Sequence, residues 1–172
     1  MERFDYTPPG SLQVPSIPGL SIEPVGMDAL DRIREMNRTI FREERIINTF
    51  EREDLVMLEA RVHGEPVGFK VGYRENRFTF YSAKGGVLPA FRRQGIAVAM
   101  LDAMMSRARD RGYLRFAFDT FPNLHPGMTI LALKQGFLLV KSDFNSLYRE
   151  YRLRFEKKLR DGLEPGADAV GP

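Results

Sequence analysis

Cysteine is missing from all 172 residues, which removes disulfides, thiolate metal sites, cysteine nucleophiles and dithiol redox chemistry together. Histidine is scarce as well. His63 and His125 are the two in the chain, so a histidine-rich metal centre or a His-based relay has little to be built from, and no metal is expected. Long apolar runs are also absent: nothing approaches the roughly 20 apolar residues of a membrane span, and Met1-Glu2-Arg3-Phe4-Asp5-Tyr6 lacks the basic start and apolar core of a signal peptide. The expectation is a soluble, cytoplasmic protein. Nor is the charge one-sided. Lys and Arg number 26 against 23 Asp and Glu, intermixed to a net +3, which suits a small anionic ligand and gives no reason to expect nucleic acid or membrane as a partner.

What is present is an ordinary globular balance, 43% hydrophobic and 28% charged, at the usual size of one domain. Pro8, Pro9, Pro15 and Pro18, with Gly10 and Gly19, make residues 1–19 a proline-rich arm in which regular structure is disfavoured. Residues 161–172 hold turn formers and no periodic apolar pattern, and read as a flexible tail. The working domain is therefore residues 20–160.

Within it, residues 20–25 alternate like a strand and residues 27–38 place Leu30, Ile33 and Met36 at helical spacing. Residues 39–50 set Ile40, Phe41, Ile46, Ile47 and Phe50 where a second helix buries one side. Residues 55–62 and 67–73 form a hairpin about His63-Gly64-Glu65-Pro66, and the aromatic stretch 77–82 adds a third antiparallel strand. Ile96, Ala97, Met100, Leu101, Met104, Met105 and Ala108 then form the stripe of a long helix that Gly112 stops. A strand at 114–119, a short helix at 127–134 and strands at 137–141 and 147–155 complete the order β-α-α-β-β-β-α-β-α-β-β, an α+β chain with one mixed sheet.

The chemistry is concentrated in Val87-Leu88-Pro89-Ala90-Phe91-Arg92-Arg93-Gln94-Gly95-Ile96-Ala97, where a strand ends, a glycine-bearing turn follows and an amphipathic helix begins at once. The first N–H groups of a helix lack internal partners and sit at the positive end of its dipole, so such a junction can cradle a pyrophosphate with main chain. Arg92 and Arg93 add charge at its mouth, and Gly95 and Ala97 keep bulk away. The loop is not G-x-x-x-x-G-K-[ST], and no G-x-G-x-x-G follows an opening strand, so ATPase, GTPase and dinucleotide-dehydrogenase readings fall away.

Arg92-Arg93-Gln94-Gly95-Ile96-Ala97 fits R/Q-x-x-G-x-G/A after a V-x-P strand end, and Leu133-Lys134-Gln135-Gly136-Phe137 fits K-x-G-F between a helix and a strand. On these residues, and on the order of elements, the chain resembles the GNAT superfamily of acyl-CoA-dependent N-acetyltransferases over about residues 20–160. The resemblance implies a central mixed, mostly antiparallel sheet of about seven strands flanked by about four helices. It implies acetyl-CoA, or another acyl-CoA, as co-substrate. Gly86, Val87 and Leu88 would offer backbone to the pantetheine arm, Arg92, Arg93, Gln94, Gly95, Ile96 and Ala97 would hold the pyrophosphate, and Asn123 would contact pantetheine or substrate. The reaction implied is direct attack of a primary amine on the thioester in a ternary complex.

One departure is plain. Many relatives carry a tyrosine five positions before the phenylalanine of the G-F pair, as acid for the leaving thiolate, and Ala132 stands there in this chain. Tyr81, Ser82 and Tyr148 are the alternative donors. The attacking amine must be neutral, so a carboxylate or a water chain should take its proton, and Glu44 and Asp119 are the catalytic candidates, with Glu43 and Tyr81 as acceptor contacts. The missing tyrosine also admits a second reading, a catalytically weak acyl-CoA-binding module. Finally, Tyr148, Tyr151, Leu153 and Phe155 on a long final strand, read as a sheet edge, suggest a homodimer.

Overall fold

The computed structural model describes residues 16–160; most of the proline-rich arm and the whole C-terminal tail lie outside the described residues. Seven strands form one sheet: β1 (Leu20–Val25), β2 (Val56–Val62), β3 (Glu65–Arg74), β4 (Thr79–Val87), β5 (Arg115–Thr120), β6 (Leu138–Asn145) and β7 (Glu150–Lys158). Three α-helices accompany it among the described residues: α1 (Leu30–Phe41), α2 (Ile96–Asp110) and α3 (Pro126–Lys134), with short 3-10 turns at Met27–Ala29 and Pro89–Phe91. The sheet runs β1-β2-β3-β4-β5-β7-β6. Every neighbouring pair is antiparallel except β4 and β5, as expected for a mixed, mostly antiparallel sheet.

Strand alternation gives the sheet two apolar faces. On one, Met57, Phe69 and Val71 pack against Ile33 and Met36 of α1. On the other, Leu58, Phe80, Phe116, Phe118 and Phe155 pack against Leu101, Met104 and Met105 of α2 and Ala132 of α3. Phe116, Phe118, Phe137 and Phe155 contact one another in stacked and edge-on pairs, the geometry that the ring quadrupole favours. The stripe read on α2 is core: Ile96, Met100, Leu101, Met104, Met105 and Ala108 are all buried. The helix ends in a paired-carbonyl stop, Gly112 at φ +92° and the Tyr113 N–H donating to the Ala108 carbonyl, the arrangement for which glycine is suited.

Two expectations need correction. No second helix forms over residues 39–50. α1 runs through Phe41, Arg42 takes the left-handed conformation at φ 56°, and the Asn37 amide reaches back to the carbonyls of Glu43 (2.6 Å) and Arg45 (3.5 Å). A side chain that satisfies those carbonyls holds the segment as an irregular loop, and the apolar residues that looked helical are buried by that route instead, Ile46 among the residues packed against α1. Second, the final strand is not an edge. β7 lies between β5 and β6, and Phe155 is core; the edges are β1 and β6.

Candidate active site

Pairing of β4 with β5 is short. It covers residues 79–82 against 115–118, after which β4 follows β3 to Val87 while β5 stays with β7 through Thr120. The two strands part at Ser82 and Phe118 and leave a fork in the middle of the sheet. An irregularity opposite Val71 and Gly72 of β3 leaves Ala83 as an extra residue on β4 just where the fork opens, and bulges of this kind re-aim the chain beside them. A sheet edge inside the fold, with backbone groups released from pairing, is a seat for an extended ligand.

The far end of β4 leads into the phosphate-type turn. Leu88 N–H donates to the Val67 carbonyl at 2.8 Å, which fixes the strand end, and Arg92 Nε donates to the Val87 carbonyl at 3.1 Å, which folds the turn back on it. Arg93 and Gly95 both have positive φ, 62° and 91°, and α2 begins with no side chain capping its first N–H groups. Those donors lie at the positive end of a helix 15 residues long, just past the end of β4. Arg92, Arg93 and Gln94 are exposed around them, and Ile96 is buried beneath as the anchor. Gly86 is needed for shape: a Cβ there would lie 2.9 Å from Ile40 Cγ2 and 3.2 Å from Phe41 Cζ.

On the α1 side of the fork stand Tyr81 and Asp119. The Tyr81 hydroxyl donates to Asp119 Oδ2 at 3.0 Å across the parting strands. Burial pushes the Asp119 carboxyl above its usual range, against the opposing pull of the Tyr81 hydrogen bond and of Arg154 at 3.9 Å. Burial, then the Asp119 charge, pushes the Tyr81 hydroxyl up as well, so it stays a proton donor at neutral pH. Next to this pair a cavity of about 70 Å³ is lined by Asp119, Lys141, Asp143, Arg152 and Arg154. Its charges are held in place: Arg152 grips Asp143 with two bonds of 2.9 and 2.8 Å, and Arg154 bonds Glu75 at 2.8 Å and Glu156 at 3.0 Å.

Glu43 and Glu44 are neighbours with different surroundings. Glu43 accepts from Lys84 Nζ at 2.7 Å, and that lysine also donates to the Arg45 carbonyl and lies 4.7 Å from the Phe41 ring centroid, so Glu43 borders the fork. Glu44 faces solvent and pairs with Arg38 at 3.3 Å. His125, at the head of α3, meets the Phe41 ring edge-on at 5.8 Å, and its pKa is lowered by burial. Asn123 donates to Glu150 Oε2 at 2.9 Å in the exposed loop beyond β5. The structure thus brings Gly86, Val87, Leu88 and residues 92–97 along the open end of β4 and Tyr81 and Asp119 to where the strands part, with Glu43 bordering the fork, and leaves Glu44 outside. Ala132 is wholly buried in the aromatic core.

Sequence reading missed the wall formed by Lys141, Asp143, Arg152 and Arg154. Arg152 and Arg154 are tied to carboxylates, Lys157 donates to the Gln135 carbonyl and Arg160 to the Gly112 carbonyl. Among the described residues no helix is long and apolar enough to cross a membrane, and no cluster of three or more metal-ligating side chains occurs.

Comparison with known proteins agrees with this geometry. Residues 31–122, just over half of the chain, match the model of an acetyltransferase (GNAT) domain. No curated protein matches the sequence significantly. Among solved structures, the ribosomal-protein-S18-alanine N-acetyltransferase of Escherichia coli superposes with a TM-score of 0.73 at 14% identity, over 85% of this chain and 97% of that one. A GNAT family acetyltransferase of Elizabethkingia anophelis with acetyl-CoA bound gives 0.69 at 17% identity, over 81% and 98%. Arabidopsis thaliana NAA60 in complex with acetyl-CoA gives 0.66 at 17% identity, over 81% and 98%. The fork, the uncapped helix behind it and the matched domain together place this chain in the GNAT acetyltransferase family.

Proposed function

We propose that the chain transfers an acetyl group from acetyl-CoA to a primary amine by direct attack in a ternary complex. The observation that carries this reading is the β4–β5 fork ending at the uncapped start of α2. Pyrophosphate would sit on the N–H groups of residues 94–97 with Arg92 and Arg93 beside it. Pantetheine would run along residues 86–88 as an added strand, its thioester in the fork. Asn123 stands at the outer wall, and its amide, now on Glu150, is within the loop that a bound cofactor would pass.

The acceptor amine would enter from the α1 face, where Asp119 and Tyr81 stand. A carboxylate of raised pKa, lining a cavity of charged side chains, is suited to take a proton from an ammonium or from nitrogen during attack. Of the two catalytic candidates, this position favours Asp119; Glu44 would have to leave Arg38 to act. Glu43, bound to Lys84, would shape the acceptor entrance. Positioning and backbone donors would supply most of the catalytic power. The co-substrate fits: residues 85 and 86 are glycines along the fork, and the α2 donors are open.

The test is a panel of primary amines with acetyl-CoA, followed by release of free thiol and by product mass. Acetylated amine with equimolar CoA supports the reading. Tight acetyl-CoA binding with no CoA release on any amine favours the second reading, a binding module, for which the specific observation is Ala132 where an acid would stand.

A further inference from the structure

Lys70 is the one buried charged side chain among the described residues for which no partner is found. It is 8% exposed, it forms no hydrogen bond or ion pair, and burial alone lowers its ammonium to about 8. The other buried charged group, Glu59, is gripped by Arg32 and Arg61 on the opposite face of the sheet. An ammonium without a partner in such surroundings is costly and calls for an explanation in a ligand.

Its position supplies one. Lys70 is on the α2 face of β3, opposite Leu58 of β2 and Gly85 of β4. Glycines flank it on that face. A Cβ on Gly68 would lie 3.1 Å from Met100 Cε, and one on Gly72 would lie 2.9 Å from Met104 Sδ, so two methionines of α2 close over the lysine from either side. Toward β4, Lys70 Cγ lies 3.0 Å from where a Gly85 Cβ would be, so the stem leans over the strand that forms one wall of the fork. Leu58, Gly85, Met100 and Met104 carry no charge, and no ionisable group of β2, β4 or α2 acts on the ammonium.

We propose that Lys70 is the proton donor to the departing CoA sulfur, in the role left vacant by Ala132. This rests on the acetyl-CoA reading above. As the amine nitrogen bonds to the thioester carbonyl carbon, the C–S bond breaks and sulfur leaves with the electron pair. The Lys70 ammonium gives it a proton and becomes a neutral amine. The proton that nitrogen loses passes to Asp119 or to water, and solvent returns one to Lys70, so the sum is amine plus acetyl-CoA to amide plus CoA thiol. An acid of pKa about 8 is protonated at neutral pH and closely matched to a thiol of about 8.5. Ala132 itself is wholly buried in the core cluster that holds Phe116, Phe118 and Phe137, so no acid could be mounted there without displacing core.

The test needs no acceptor. CoA is bound to wild type, Lys70→Met and Lys70→Gln, and ionisation of its thiol is followed with pH by the ultraviolet absorbance of the thiolate. Both variants remove a buried charge, so they should fold and melt no lower than wild type. The bound thiol is expected to ionise at least tenfold more readily in wild type, about one pH unit lower, than in either variant, because only wild type sets an ammonium against the sulfur. Equal thiol ionisation in all three proteins, with CoA bound, would overturn the assignment of Lys70 and leave the acetyl-CoA reading standing. Failure of wild type to bind CoA at all would overturn both.

Discussion

Replacing Asp119 by Asn should make the protein slower and more stable at once. The substitution keeps the shape and an oxygen able to accept the Tyr81 hydrogen bond of 3.0 Å, and removes the charge. In the folded chain burial raises this carboxyl above its ordinary 3.8, so the folded state holds its proton to higher pH than the unfolded state does. Below the unfolded value both states are protonated and the two proteins should melt alike; above the raised folded value the buried charge is a burden that Asn lacks. The melting temperature of Asp119→Asn should therefore exceed that of wild type at pH 7, and the gap should close below about pH 4. Catalysis should move the other way. A positioned base is worth roughly 10²–10⁴-fold, about 3–5 kcal/mol of barrier. With an accepting amine in hand, kcat should fall by that factor, and the acid limb of the wild-type pH profile should disappear. The paired assay is thermal melting and CoA release over pH 4–9, the range set by the carboxyl and amine ionisations concerned. Wild-type kcat in Asp119→Asn, or a variant less stable than wild type at pH 7, would refute the argument that a buried, proton-holding carboxylate serves as the base.

Ala132→Tyr should not restore a missing acid. The position is wholly buried in the core cluster that holds Phe116, Phe118 and Phe137, so overpacking should lower stability by about 1–3 kcal/mol in denaturant titration with no gain in turnover. Glu59 is fully buried, and although its burial would raise the carboxyl, the hydrogen bonds from Arg32 (2.7 Å) and Arg61 (2.7 Å) outweigh that and hold it below its usual value. Removing both arginines should strand a buried charge and cost about 3–5 kcal/mol, more than Glu59→Gln, whose freed arginines can turn to solvent. The stability this carboxyl contributes is present above its unfolded pKa and should fade as pH falls through the lowered folded value, visible as a steeper acid melting curve than that of Glu59→Gln.

The parts legible in the sequence were those written contiguously. The stripe of α2, the turn at residues 92–97 and the Gly136-Phe137 stop each lie within one turn or helix, and each was found where the spacing placed it. Lys70 was hidden by the rule that served elsewhere: Phe69, Val71 and Tyr73 alternate so regularly that the residues between them look solvent-facing, but Gly68 and Gly72 let α2 press onto that face and bury the lysine. Tyr81 and Asp119 lie 38 residues apart, and their bond depends on where a parallel pair of strands stops, which no local pattern states. At residues 39–50 the Asn37 side chain bonds main-chain carbonyls beyond α1, a contact that competes with helix and leaves no period in the sequence.

The central claim is that the fork and the start of α2 bind acetyl-CoA, and thermal unfolding with and without acetyl-CoA tests it most directly, with ATP and NAD as controls and Gly95→Glu beside the wild type. Ligand at about 100 times its dissociation constant stabilises by about 2.7 kcal/mol, a rise of several degrees for a domain of this size. Gly95→Glu sets a carboxylate, and a side chain strained at φ 91°, against the pyrophosphate donors, so its own melting temperature should be lower and its response to ligand lost. A rise specific to acetyl-CoA in wild type and absent in the variant is the expected result; no rise with acetyl-CoA at saturation, or an equal rise in Gly95→Glu, would contradict the account.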